Sequence, residues 1–196
     1  MKIQFLGAAE TTSGSCYLLS FAQYQVLVDC GLFHGPEDLK QRNYGDFPFR
    51  PEEIDAVILT HAHIDHSGLL PKLVKHGFQG PIYATGATAD LCSILLADSA
   101  YIQETEVERK NRQLRRRGAK LLTPIYTGED AQKTQKHFRR MIYDEEVPIL
   151  PGLRLRLRDA GHILGAAIVE IWLKTDQREL KIVFSGDIGN LNQPIV

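Results

Sequence analysis

Thr60-His61-Ala62-His63-Ile64-Asp65-His66 decides how this chain is read. The run follows Val57-Ile58-Leu59, a continuous apolar segment of the kind found in strands buried on both faces. A helical pattern over residues 69–76 comes after it and stops at Gly77, a usual C-cap residue. His61 and His63 are two apart in an extended loop, so both imidazoles can point to the same side. Asp65 and His66 come next, at the N-terminus of the helical pattern. Neutral imidazoles and carboxylates are the usual zinc ligands of hydrolytic sites, which keep a position open for water. Four such side chains within residues 61–66 provide half-sites for two ions rather than one. The bland alternative is a loop of surface histidines, but chance rarely sets H-x-H-x-D-H between a buried strand and a helix.

Two more loops share this character. Asp159-Ala160-Gly161-His162-Ile163-Leu164-Gly165 follows the strictly alternating segment 153–158, and Ser185-Gly186-Asp187-Ile188-Gly189 follows a strand pattern over 180–184. Each sets a ligand-type side chain among small residues, which lets backbone approach a crowded centre. Further strand patterns cover 3–6, 16–19, 24–28, 57–59 and 167–173. Helical spacing covers 88–117, and a second helix fits 129–138, entered through Gly128. Two sheets enclosed by helices is the simplest packing of these elements. There is no internal repeat, low-complexity tract or linker, so residues 1–196 read as one domain. Gln193-Pro194-Ile195-Val196 follows directly on a loop with no closing element, and the expectation is a portion of a longer protein.

In order along the chain, Asp29 after a strand, the run from His61 to His66, His162 and Asp187 resemble the metallo-β-lactamase superfamily. The surrounding text is similar to its β-CASP branch of RNA-processing nucleases. The matching segments are Phe5-Leu-Gly-Ala-Ala-Glu10 with Ser13-Gly-Ser-Cys16, Val28-Asp-Cys-Gly-Leu-Phe33, Asp98-Ser-Ala-Tyr-Ile-Gln103, Tyr126-Thr-Gly-Glu-Asp-Ala131, Ala160-Gly-His-Ile-Leu-Gly-Ala166 and Phe184-Ser-Gly-Asp-Ile-Gly189. The resemblance implies an α/β fold, the αββα four-layer sandwich, here incomplete because the C-terminal part and the β-CASP domain are absent.

It further implies a first zinc on His61, His63 and His162, a second on Asp65 and His66, and Asp187 bridging the pair. Asp29, Asp65 and Asp187 would be the catalytic carboxylates, with Asp29 orienting a ligand or the attacking water. The activity implied is hydrolysis of phosphodiester bonds in single-stranded RNA, endonucleolytic or 5′-exonucleolytic, by a metal-bridging hydroxide. N/O sites of this kind also accept manganese or iron. In the branch a second domain caps the site and brings further histidines, so the second zinc is expected to be held less firmly here. His34 stands where relatives often carry Gln, and a surface or gate residue is the preferred reading of it. A homodimer is compatible with such a full-length protein. The rivals are a small-molecule hydrolase of the same fold, acting on a thioester, lactone or phosphodiester, and a non-catalytic RNA-processing subunit.

Composition sets the remaining bounds. Apolar residues make up 43% and charged residues 24% of the 196, close to a globular average. No apolar run approaches the roughly 18–20 residues of a membrane span, and Met1-Lys2 leads into a strand pattern without an apolar h-region, so the cytoplasm is the expected address. Cys16, Cys30 and Cys92 read as buried free thiols. The net charge of −1 gives no overall pull toward nucleic acid, so an anionic substrate needs a local patch. Basic residues cluster at Arg109-Lys110, Arg112, Arg115-Arg116-Arg117 and Lys120, and again over 136–140; an RNA face and a solvated helix face are equally good readings. Arg154, Arg156 and Arg158 alternate with leucines and belong on the solvent side of a strand. Tyr101, Tyr126 and Tyr143 read as packing residues rather than base-stacking platforms. A P-loop is excluded, since no Lys follows Gly14.

Overall fold

The computed structural model describes residues 1–175 and 178–190, so the terminal stretch from Gln193 to Val196 lies outside the described residues. The chain opens with β1 (Lys2–Phe5), β2 (Tyr17–Phe21) and β3 (Tyr24–Val28), which pair antiparallel in that order. After a short helix α1 (Glu37–Arg42), strand β4 (Ala56–Ile58) pairs parallel to β3. Two short helices follow, α2 (Ile64–Ser67) and α3 (Leu70–Lys75), the latter ending where Gly77 takes φ +108°, as its C-cap role predicts. Strand β5 (Ile82–Thr85) leads directly into α4 (Gly86–Arg116), with Thr85 as N-cap accepting from the Thr88 amide.

Helix α5 (Gly128–Thr134) begins with a capping box in which Thr127 and Asp130 satisfy each other's amides. The expected helix over 129–138 stops short, however. It passes through a 3-10 turn at Gln135–His137 and becomes β6 (Phe138–Met141), parallel to β5 with Phe138 opposite Ile82. Burial of Met141 and the ladder to β5 outweigh the helical spacing. The second basic cluster is therefore not a helix face: Arg140 pairs with Asp90, and Arg139 donates to the carbonyls of Lys136 and Phe138. Strands β7 (Val147–Leu150), β8 (Leu153–Asp159), β9 (Ala167–Lys174) and β10 (Glu179–Phe184) form a second, antiparallel sheet in the order β10-β9-β8-β7.

Strand alternation makes two cores from one sheet. Val26, Val28, Ala56 and Ile58 face the second sheet and pack on Leu155, Leu157, Val169 and Ile171. Leu27, Val57 and Leu59 face the other way, onto Leu70 and Leu73 of α3, Cys92 and Leu96 of α4, and Tyr126. That explains the unbroken apolar run ending at Leu59, since β4 is covered on both faces. The three cysteines are free and buried, as expected. The outer face of the second sheet carries no helix among the described residues. Instead Arg154, Arg156 and Lys181 surround the Trp172 ring, and Arg156 and Lys181 both bond Glu170. The arginines of β8 are thus paired within their own sheet, which supports their reading as structural.

Candidate metal centre

The parallel strands β3, β4 and β5 all end on one edge, where open α/β sheets place their ligands. Asp29 follows β3, Thr60 and His61 follow β4, and the second sheet delivers His162 after β8 and Asp187 after β10 to the same edge. The Ala167 amide donates to the Thr60 carbonyl at 2.8 Å and ties the two sheets together beside the site.

Four donor atoms converge there. His61 Nε2 lies 3.0 Å from His63 Nδ1, which lies 3.2 Å from His162 Nε2. Asp187 Oδ2 is 3.7 Å from His61 Nε2 and 3.5 Å from His162 Nε2. A tetrahedral ion with bonds of about 2.0–2.1 Å requires donors about 3.3 Å apart, so the spacing suits one ion at the centre. A single N–H can bridge one of these nitrogen pairs, whereas a cation at the centre meets all three rings at once. Protonation is no substitute: burial, followed by the neighbouring His66, His63 and His162, pushes the His61 pKa down to about 2. Burial and His162 lower that of His63 as well. The residues therefore fit a metal ion.

A second half-site adjoins the first. Asp187 turns its other oxygen, Oδ1, to within 3.4 Å of His66 Nε2, and Asp65 Oδ2 is 3.9 Å from the same nitrogen. One carboxylate thus offers one oxygen to each half-site. The second has three protein donors against four in the first.

Asp29 sits beneath both, buried, with φ +60°, a left-handed conformation that Asp tolerates better than most residues. Its carboxylate is an acceptor only, and its partners fill it. Oδ1 accepts from the Thr60 amide at 2.8 Å, while Oδ2 accepts from the Ser15 hydroxyl at 3.0 Å and from His66 Nδ1 at 2.8 Å. The Thr60 hydroxyl also donates to Asp29, so its oxygen is left to accept from His61 Nδ1 at 3.0 Å. Both histidines then carry their proton on Nδ1 and turn a bare Nε2 toward Asp187. Burial would lower the His66 pKa, but the hydrogen bond and charge of Asp29 outweigh it and leave the value raised.

The His162 loop is held from below. Thr85 and Thr88 both donate their hydroxyls to the Gly165 carbonyl, at 2.7 and 2.8 Å. Tyr143 donates to the Ala166 carbonyl at 2.8 Å. Ser15, Thr60, Thr85, Thr88 and Tyr143 were not legible as site residues. The first two stand inside the quoted motif text, but which hydroxyl meets Asp29 depends on tertiary contact. Of the three tyrosines, Tyr126 is fully buried, as a packing residue should be, whereas Tyr101 is 69% exposed on α4 and the packing reading fails for it. His34 does not reach the centre: its backbone bonds the Ser13 hydroxyl, and it lines a separate groove with Leu95 and Gln103.

The chain matches the family model of the metallo-β-lactamase superfamily over residues 9–92. It is 38% identical over 196 residues to a ribonuclease of Thermus thermophilus, all of this chain and 40% of that protein. It is 35% identical over 189 residues to transcription termination factor FttA of Methanococcus maripaludis, 96% of this chain and 27% of that protein. The family match lies on the segment that carries Asp29 and the run from His61 to His66, and makes the chain similar to the metallo-β-lactamase superfamily. The two relatives align with almost the whole chain, including the segments of motif text named above. Among solved structures, a HARLDQ-motif mutant metallo-β-lactamase of Cronobacter sakazakii superposes with a TM-score of 0.56 at 19% identity, over 99% of this chain and 63% of that one. That likeness carries the superfamily fold. The chain spans about two fifths or less of the length of the two sequence relatives. No helix among the described residues is long and apolar enough to cross a membrane.

Proposed function

We propose that the protein is a dizinc ribonuclease that hydrolyses phosphodiester bonds of single-stranded RNA. The observation that carries this reading is Asp187, which splits its two oxygens between adjoining half-sites. One zinc would lie among His61, His63, His162 and Asp187, and a second among Asp65, His66 and Asp187. When bound, such a pair supplies Lewis acidity and a water activated at neutral pH, which suits a reaction whose attacking and leaving oxygens both carry negative charge. The chain's own residues set the geometry. Asp29 keeps Nε2 of His66 directly, and of His61 through Thr60, free of a proton and aimed at the metals. Thr85, Thr88 and Tyr143 hold the loop that presents His162.

The RNA assignment rests on similarity to a protein named as a ribonuclease, with which the whole chain aligns. Residues 1–196 are read as the N-terminal portion of a lactamase domain, and the greater length of the two relatives supports that division. The cytoplasm is the proposed address, and dimerisation of the whole protein is a matter for measurement. The test is metal content per chain together with single-stranded RNA cleavage, on the protein and on its His63→Ala variant. Two zincs with cleavage lost in the variant is the expected result. Cleavage that survives in the variant, or an active preparation without metal, would sink the reading.

Asp29→Asn isolates the second half-site. The new amide nitrogen would donate to His66 Nδ1 and force the proton onto Nε2, which then has no lone pair for a metal. The loss of such a supporting partner costs about 10–100-fold in metal affinity. Zinc titration should show one equivalent weakened by that factor. Two equivalents of unchanged affinity would refute the tautomer argument.

A further inference from the structure

The C-terminal half of α4 plays no part in the metal centre. Residues 109–120, RKNRQLRRRGAK, hold seven cations and no carboxylate, in a chain whose net charge is −1. All seven side chains belong to exposed residues. Among the described residues one of them is in an ion pair, Arg112 with Glu108 one turn earlier. The segment is firmly presented: Val107 and Asn111 are buried, and the Asn111 carboxamide clasps Leu122 in both directions, at 2.9 and 2.8 Å.

The same helix joins this end to the metal centre. Thr85 and Thr88 at its N-terminus hold the His162 loop through Gly165. At 1.5 Å per residue, Arg115 lies about 40 Å farther along the axis than Thr88. We propose that the basic end of α4 is a distal anchor for the phosphate backbone of single-stranded RNA whose scissile bond lies at the metal centre, an inference that rests on the nuclease reading above. Exposed cationic side chains without partners suit the phosphate backbone, whose charge they neutralise without a fixed geometry. Within 109–120 there is no aromatic residue, and Leu114 is half-buried. Leu121 and Leu122 are exposed just beyond it, but the segment itself holds cations and no aromatic anchor, which favours a phosphate backbone over an acidic protein partner. Contacts of this kind position a strand without reading its sequence. At about 3.4 Å per stacked nucleotide, the gap corresponds to about 12 nucleotides.

The test is RNA affinity of the full-length protein as a function of RNA length and salt, measured in the His63→Ala background so that the strand survives. Arg115→Gln, Arg116→Gln and Arg117→Gln are introduced together; glutamine keeps helix propensity and these side chains are exposed. An unstructured RNA of about 30 nucleotides spans both regions and one of about 6 does not. The triple variant should bind the long RNA roughly tenfold or more weakly at low salt, with the log–log salt slope reduced by about 2. Its affinity for the short RNA should hold within about twofold. A triple Arg→Lys variant should keep the long-RNA affinity, because the charge is retained. An unchanged affinity and slope for the long RNA would overturn the anchor, as would equal losses on both lengths. Cleavage by the protein with His63 intact separates the two readings. If neither RNA is cut yet the length-dependent loss is seen, the anchor stands and the nuclease reading falls. If both are cut and the triple variant binds normally, the reverse holds.

Discussion

An Asp187→Ala variant should lose RNA cleavage by about three orders of magnitude or more while keeping its fold. Among the described residues Asp187 alone has oxygens facing both half-sites, Oδ2 toward His61 and His162, Oδ1 toward His66. Its removal leaves three imidazoles for the first metal and two donors for the second. Metal ions contribute several kcal/mol of transition-state charge stabilisation in such sites. At about 1.36 kcal/mol per tenfold, losing that from a shared position corresponds to at least about 10³ in rate. The fold should survive because the Asp187 side chain is 45% exposed and its partners are the histidines of the site. Metal content, cleavage rate and melting temperature on one preparation decide the matter. A variant that keeps two metals and full activity would remove Asp187 from the centre. A variant that does not melt cooperatively would show the residue to be structural.

Gly31→Ala should lower stability far more than one added methyl group does at an open site. A Cβ at position 31 would stand 1.7 Å from the Asp65 carbonyl oxygen, 2.3 Å from its carbon and 2.8 Å from the Ser15 amide nitrogen. Those atoms are backbone and cannot swing aside. The Ser15 amide donates to the Asp65 carbonyl at 2.8 Å, and the Gly31 amide to the Ser15 carbonyl at 2.9 Å, so the methyl would enter a closed set of hydrogen bonds. Overpacking costs about 1–3 kcal/mol or more, and a broken buried hydrogen bond adds about 1. For a domain of this size a total of about 3–4 kcal/mol lowers the melting temperature by roughly 10 °C. Asp65 and Ser15, the latter bonded to Asp29, would move together. Weaker binding of the second metal should therefore accompany the fall in melting temperature. Normal metal content with a normal melting temperature would show that the loop gives way without cost.

How much was legible varied with how far each signal spreads along the chain. Strand β4, the histidine run and the helix after it lie within twenty residues, and their order alone implies a buried strand that ends in a ligand-rich loop. The long helix was legible too, as 88–117 against Gly86–Arg116. Three strands were not. Val147–Leu150 contains Pro148, which argues against a central strand, and it is an edge strand of its sheet. Phe138–Met141 is also an edge, with two arginines and no turn residue to divide it from α5. Ile82–Thr85 is four residues squeezed between Pro81 and a helix. Each is held by its neighbours rather than by its own composition.

The sequence by itself determined which side chains are of metal-ligand type and the loops that carry them, because hydrophobic runs and small residues mark strand ends locally. It also carried the family resemblance, through text spread over the whole chain. Only the tertiary structure decided that His63 and His162, 99 residues apart, stand with nitrogens 3.2 Å from one another. The same is true of Asp29, whose position after a strand suited either a ligand or the attacking water. Its bonds to His66 and Thr60 assign it to the histidines. The division has a physical cause. Strand and loop propensities act over a few residues, whereas donor spacing and proton placement are set when two sheets pack edge to edge and bury the carboxylate between them.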